Sequence, residues 1–151
     1  MPSYRIGIDL GTTNAVVAFT EDGRERVVKV EKNEDPSAVL PSAVAWTTEG
    51  LVVGSRALRD PACVRQFQRE MGTDKTYDLG GTGHSPLELS SLVLRHLKEG
   101  FEREVGVVEG VVITVPANFT DQKRAETKEA GRATFWISRR TMAMNAAVAW
   151  T

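Results

Sequence analysis

The chain has 151 residues, 41% of them hydrophobic and 26% charged, with a net charge of −1 and a pI near 6.1. That length suffices for one domain with its own core, and the near-neutral balance gives no electrostatic case for nucleic acid or an anionic membrane as partner. No apolar run approaches the roughly 20 residues of a membrane span, the start Met1-Pro2-Ser3-Tyr4-Arg5 has no signal-peptide pattern, and a lone Cys63 excludes an internal disulfide and fits a reducing, cytoplasmic compartment.

The first apolar run, Tyr4 to Leu10, and the second, Ala15 to Phe19, predict two strands of a hairpin. Glu21-Asp22-Gly23 is a turn, and Arg26 to Val30 predicts a third strand of a meander. Asn33 to Ser37 is a loop around Pro36; Leu40 to Trp46 reads as one edge strand with Pro41 near its start, and Leu51 to Gly54 as its hairpin partner. Ser55 to Asp60 suggests a brief helix ending before Pro61. Val64 to Gly72 is mixed, and Thr73 to Gly83 is a polar, glycine-rich loop. Gly81-Thr82-Gly83 is not a dinucleotide fingerprint, since it follows no apolar strand and lacks the third glycine.

Ser85-Pro86-Leu87-Glu88 predicts a capping box at a helix start, and Leu94, Leu97, Phe101 and Val105 then share one helical face. His96, inside that helix, reads as a surface or boundary residue, and neither it nor His84 has a second ligand spaced to hold a metal. Gly110 to Pro116 is a continuous apolar strand of the kind buried on both faces. Thr120 caps a helix that starts at Asp121, which suits the helix dipole, and runs to about Gly131. Phe135-Trp136-Ile137 predicts one more strand, and Thr141 to Trp150, rich in alanine and methionine, is helix-compatible.

The chemistry concentrates in the first hairpin turn. Gly11 permits positive φ and close backbone approach, and Thr12 and Thr13 offer hydroxyls beside exposed N–H groups, a combination that binds anions. Asp9, at the mouth of the first strand, is a hard oxygen ligand suited to hydrated Mg²⁺. A carboxylate repels a phosphate unless a cation lies between them, so the pair points to a metal–nucleotide complex. Read locally, the same residues also make an ordinary turn, with Asp9 as its cap.

The segment Val111 to Gly131 is similar to the ITVPA-x-F-x-D-x-x-R-x-x-T-x-x-A-G stretch of the 70-kDa heat-shock chaperones (DnaK-like), and Ile8-Asp9-Leu10-Gly11-Thr12-Thr13-Asn14 resembles their opening phosphate loop. The resemblance runs from Tyr4 to about Gly131 and returns weakly at Ala146 to Trp150. It implies an α/β fold: a ribonuclease-H-like (actin-like ATPase) lobe with a mixed five-stranded sheet, flanking helices and a small subdomain excursion at about 35–85. It also implies ATP/ADP and Mg²⁺ as cofactors. Asp9 would hold Mg²⁺ through water and serve catalysis with Thr13, while Gly11, Thr12 and Thr13 would contact the phosphates with Asn14 packed beneath. Pro116 and Arg124 match the family's relay from nucleotide state to the peptide-binding domain. Read alone, Pro116 ends a strand and Arg124 sits on an exposed helical turn.

Two departures qualify what the resemblance implies. The lysine that orients the attacking water is replaced by Gln68 in Phe67-Gln68-Arg69-Glu70-Met71-Gly72, which brings no charge to the transferred phosphoryl group. No acidic residue follows Glu129, so the glutamate of the family's Asn-Glu-Pro-Thr segment has no counterpart. Thr134 to Asn145 departs while both flanks match, the pattern of a shifted reading frame or a sequence error, with genuine divergence as the alternative. The expectation is therefore a truncated first lobe, residues 1–151, of an ATP-dependent stress-response chaperone. Unfolded peptides and co-chaperones would be reached only through domains not encoded here, and the chain alone would be inactive. A remnant or interaction module without ATPase activity is the competing reading, and a filament-forming or sugar-phosphorylating relative is a third that Val112 to Gly131 argues against.

Overall fold

A computed structural model describes residues 2–135 in full and the backbone of residues 146–150. Its main sheet is built outward from β1 (Ser3–Leu10). β1 pairs antiparallel with β2 (Asn14–Glu21), which pairs antiparallel with β3 (Arg24–Val28). The β2–β3 turn places Asp22 and Gly23 at φ 50° and 74°, the left-handed conformations that a two-residue hairpin requires. A short β4 (Leu40–Pro41) adds to the start of β2.

The stretch predicted as one edge strand is two. Leu40–Pro41 joins the main sheet, and β5 (Ala43–Thr47) joins a separate one, with Ser42 between them. β5 is flanked by β6 (Gly50–Val53) and β7 (Val64–Arg65), and a 3₁₀ turn over Gly54–Arg59 stands where a brief helix was predicted. A second 3₁₀ turn spans Phe67–Glu70. Thr73 to Gly83 is not all loop: β8 (Tyr77–Leu79) and β9 (Thr82–His84) form a hairpin turned by Gly80 and Gly81, both at positive φ. Their three-residue length and mixed polarity hid them from a period-two search.

Helix α1 (Pro86–Glu104) begins with the expected capping box: the Glu88 amide donates to Ser85 Oγ and the Ser85 amide to Glu88 Oε2, both at 3.1 Å. Its Leu89, Val93, Leu94, Leu97 and Phe101 are buried against the sheet. Each such side chain contributes roughly 1.5–3 kcal/mol. Phe101, Phe19 and Tyr4 meet edge to face at 5.3–5.9 Å, which locks α1 to β1 and β2. Gly100 lets the helix approach closely, since a Cβ there would lie 2.5 Å from Val30 Cβ.

After α1 the chain returns as β10 (Val107–Val115), parallel to β1. β10 is not buried on both faces as its composition suggests. Val111, Ile113 and Val115 are buried while Val112 is 42% exposed, because the described helices cover one face. α2 (Asp121–Phe135) extends past Gly131, so Phe135 ends a helix rather than starting a strand. Thr134 Oγ1 donates to the carbonyls of Ala130 and Ser91, tying α2 to α1. Trp136 and Ile137 lie outside the described residues.

β11 (Ala146–Trp150) corrects the helix expected over Thr141 to Trp150. Residues 146–150 pair in parallel with Val111–Val115, and 141–145 lie outside the described residues. The sheet order β11-β10-β1-β2-β3, with helices packed on it, is the mixed five-stranded α/β arrangement that the resemblance implied, with β4 added beside β2.

Candidate functional site at the carboxyl ends of β1 and β10

Parallel pairing decides where the chemistry gathers. Asp9 is opposite Thr114, so β1 and β10 end side by side and release the 11–14 turn and the Pro116 segment at one edge. In open sheets with parallel strands, this carboxyl edge is where ligands bind.

Asp9 is exposed there, and Thr114 Oγ1 donates to its Oδ1 at 3.0 Å. That contact steadies one carboxylate oxygen and leaves the other open. Thr114 was missed in the sequence because the 105-residue separation is bridged only by strand register.

The 11–14 turn is tight. The Gly11 amide donates to the Asn14 carbonyl at 3.0 Å, and a Cβ on Gly11 would lie 2.5 Å from that oxygen. Gly11 is thus required for close approach and not for positive φ, which it does not adopt. Its amide is spent on the turn, so of the residues expected to meet an anion only Thr12 and Thr13 keep uncommitted side-chain donors. Their hydroxyls make no hydrogen bond among the described residues. Asn14 does not pack beneath the loop: its side chain is exposed and its backbone oxygen does the work.

Ser42 braces the turn from outside. Its amide donates to the Thr13 carbonyl and its hydroxyl to the Gly11 carbonyl, both at 2.9 Å. Ser42 is buried at the break between β4 and β5. The pattern gave no warning of it, because it was read as one strand residue among seven.

At the neighbouring strand end, the Phe119 amide donates to the Pro116 carbonyl at 3.0 Å, forming the bend that leads to α2. Thr120 caps the helix through the Lys123 amide at 3.3 Å. Arg124 is not on an open helical turn. Its side chain is 23% exposed, and Nη2 donates to the Ala117 carbonyl at 3.1 Å, directly after Pro116. Pro116 and Arg124 are therefore parts of one bend.

Gln68 makes no hydrogen bond to the 11–14 turn among the described residues. It is fully buried in the 3₁₀ turn over Phe67–Glu70, and its Oε1 and Nε2 have no hydrogen-bond partner among the described residues. The segment after it reaches the first turn of α2, where a Cβ on Gly72 would stand 2.9 Å from Gln122 Cγ.

Magnesium suits what is present. One exposed carboxylate with one steadied oxygen, beside hydroxyl-bearing residues, is the kind of site that holds Mg²⁺ through its water shell. Among the described residues no three His, Cys, Asp or Glu side chains gather into a cage for a dehydrated metal, and no helix is long and apolar enough to cross a membrane. A family model described as Hsp70 protein matches this chain over residues 5–78 and 64–150.

Proposed function

The chain belongs to the Hsp70 protein family of nucleotide-using chaperones, and from that membership we propose that residues 1–151 are the first lobe of its ATPase domain and supply half of a nucleotide clamp. The observation that carries this reading is the Asp9–Thr114 contact beside the Ser42-braced turn at one sheet edge. Thr12 and Thr13 bind the β- and γ-phosphates of ATP or ADP, and Gly11 keeps the backbone close enough for them to do so. Asp9 holds the water shell of Mg²⁺, a cation that neutralises charge on the phosphates. Thr13 and Asp9 orient the γ-phosphoryl group for in-line attack by water. Pro116 and Arg124 form the bend through which nucleotide state reaches the rest of the parent protein, where ATP drives binding and release of unfolded peptides with co-chaperones. The partly buried free thiol of Cys63 suits a reducing, cytoplasmic setting.

One lobe encloses no nucleotide by itself, and exclusion of water is part of phosphoryl-transfer catalysis. Calorimetric titration of the isolated chain with Mg-ATP is expected to show at most weak binding and no turnover. Tight binding would refute the half-clamp reading.

Gln68 favours a second reading, a nucleotide-responsive module that does not hydrolyse ATP. A neutral amide, fully buried, lends no charge to the transferred group.

A further inference from the structure

The loop after β3 is tied down more firmly than a connection requires. Lys29 Nζ donates to the carbonyls of Asn33, at 2.6 Å, and of Asp35. The Glu31 carboxylate accepts from the Ser55 amide at 2.9 Å, from the Ser55 hydroxyl, and from Asn33 Nδ2 at 3.0 Å. Gly54, at φ +84°, makes this grip possible, because a Cβ there would collide with the Glu31 carboxylate. From the far side, Arg103 Nη2 donates to the Val30 carbonyl at 2.7 Å.

These contacts frame a cavity of about 560 Å³ between the loop, the Gly54–Arg59 turn and α1. That is within the size range of small-molecule sites. It shares no residue with the turn at Asp9–Asn14.

Its charge is one-sided. Lys32, Arg56, Arg59 and Arg103 line it, against Glu31 alone. The Glu31 carboxylate is already engaged by three donors. Arg56 pairs with Glu49, and Arg103 with Glu104 at 3.2 Å. Among the described residues, Lys32 and Arg59 have no ion pair or hydrogen bond. Two of the four lining cations, Lys32 and Arg59, are thus left without an internal anion among the described residues. Val30 and Val53 supply apolar wall.

We propose that this cavity binds a small phosphate monoester with an apolar body, its dianion between Lys32 and Arg59 and its body against Val30 and Val53. Arginine forks match phosphate oxygens in pairs, and two unpaired cations suit a dianion better than a carboxylate. The apolar wall separates an ester from free phosphate.

Phenyl phosphate is a suitable probe, with inorganic phosphate and benzoate as its two halves. Amide NMR titration of the 151-residue chain is expected to shift Asn33, Ser55 and His96, with phenyl phosphate binding at least tenfold more tightly than either half. The double variant Lys32→Glu, Arg59→Glu changes only exposed side chains and is expected to lose binding at least tenfold while keeping its spectrum. Shifts confined to residues 11–14, equal binding of benzoate, or unchanged binding by the double variant would each overturn the proposal.

Discussion

Gln68 puts a primary amide, able to make four hydrogen bonds, into a space where the described residues offer it none. Burying such a group unpaired costs about 1–3 kcal/mol. Gln68→Met keeps the length and removes the polar atoms, so it is expected to stabilise the fold by about 1–2 kcal/mol, read as a higher urea midpoint at constant slope. A lower midpoint would show that the amide has a partner in solution. The 11–14 turn should respond in the opposite sense. Gly11→Ala drives a Cβ to 2.5 Å from a backbone oxygen, which cannot swing aside as a side-chain tip can. A loss of about 1–3 kcal/mol is expected, the range for overpacked sites. Ser42→Ala removes the donor to the Gly11 carbonyl, a partly buried bond worth about 1 kcal/mol. If Ser42 braces the turn, amide exchange in the variant should quicken at residues 11–14 and leave α1 unchanged.

At the scale of elements, α1 carries both the core and a pH signature. Burial is the largest influence on His96 and holds its pKa below the ordinary 6.5, with Arg103 acting in the same direction and Glu31 and Glu99 opposing. The unfolded chain therefore binds a proton more readily than the folded one. Stability from this group is fully present above the unfolded value, and it is lost as pH falls below about 6.5 toward the folded pKa. His96→Gln should flatten that part of the pH–stability curve relative to the parent chain; parallel curves would remove His96 as the cause. The same elements explain what was legible in the sequence. β1 and β2 alternate, and α1 starts with a capping box and keeps a helical stripe, so local pattern and tertiary placement agree. β11 is not legible in the sequence because its alanines favour helix locally, whereas pairing with β10 decides its conformation. In the site, Asp9, Gly11 and the threonines were visible as a contiguous motif. Ser42 and Thr114 were not, since each reaches the motif only through strand pairing across 31 and 105 residues.

For the whole molecule, the sheet explains how the proposed half-clamp is positioned. β1 and β10 hold the 11–14 turn and the Pro116 bend at one edge through their parallel register. Val112, on the strand beside β1, is half-exposed, and Asp9 faces open solvent. Geometry on this side of the proposed clamp is therefore set, while the electrostatics are not: the position where the family places a lysine holds a buried neutral amide. Gln68→Lys tests which deficiency governs. In the chain alone, the new ammonium would enter an enclosed position, which disfavours its charged form, so the variant should lose stability and show no turnover. Joined to a complete second lobe of the family, the chain with Gln68 retained should bind Mg-ATP with slow hydrolysis. Gln68→Lys should then raise single-turnover rates by about 10²–10³, the scale of one well-placed electrostatic group at a transferring centre. Equal rates with glutamine and lysine would assign slow hydrolysis to the lack of an acidic residue after Glu129 or to the 134–145 segment. Turnover by the chain alone would show that one lobe suffices.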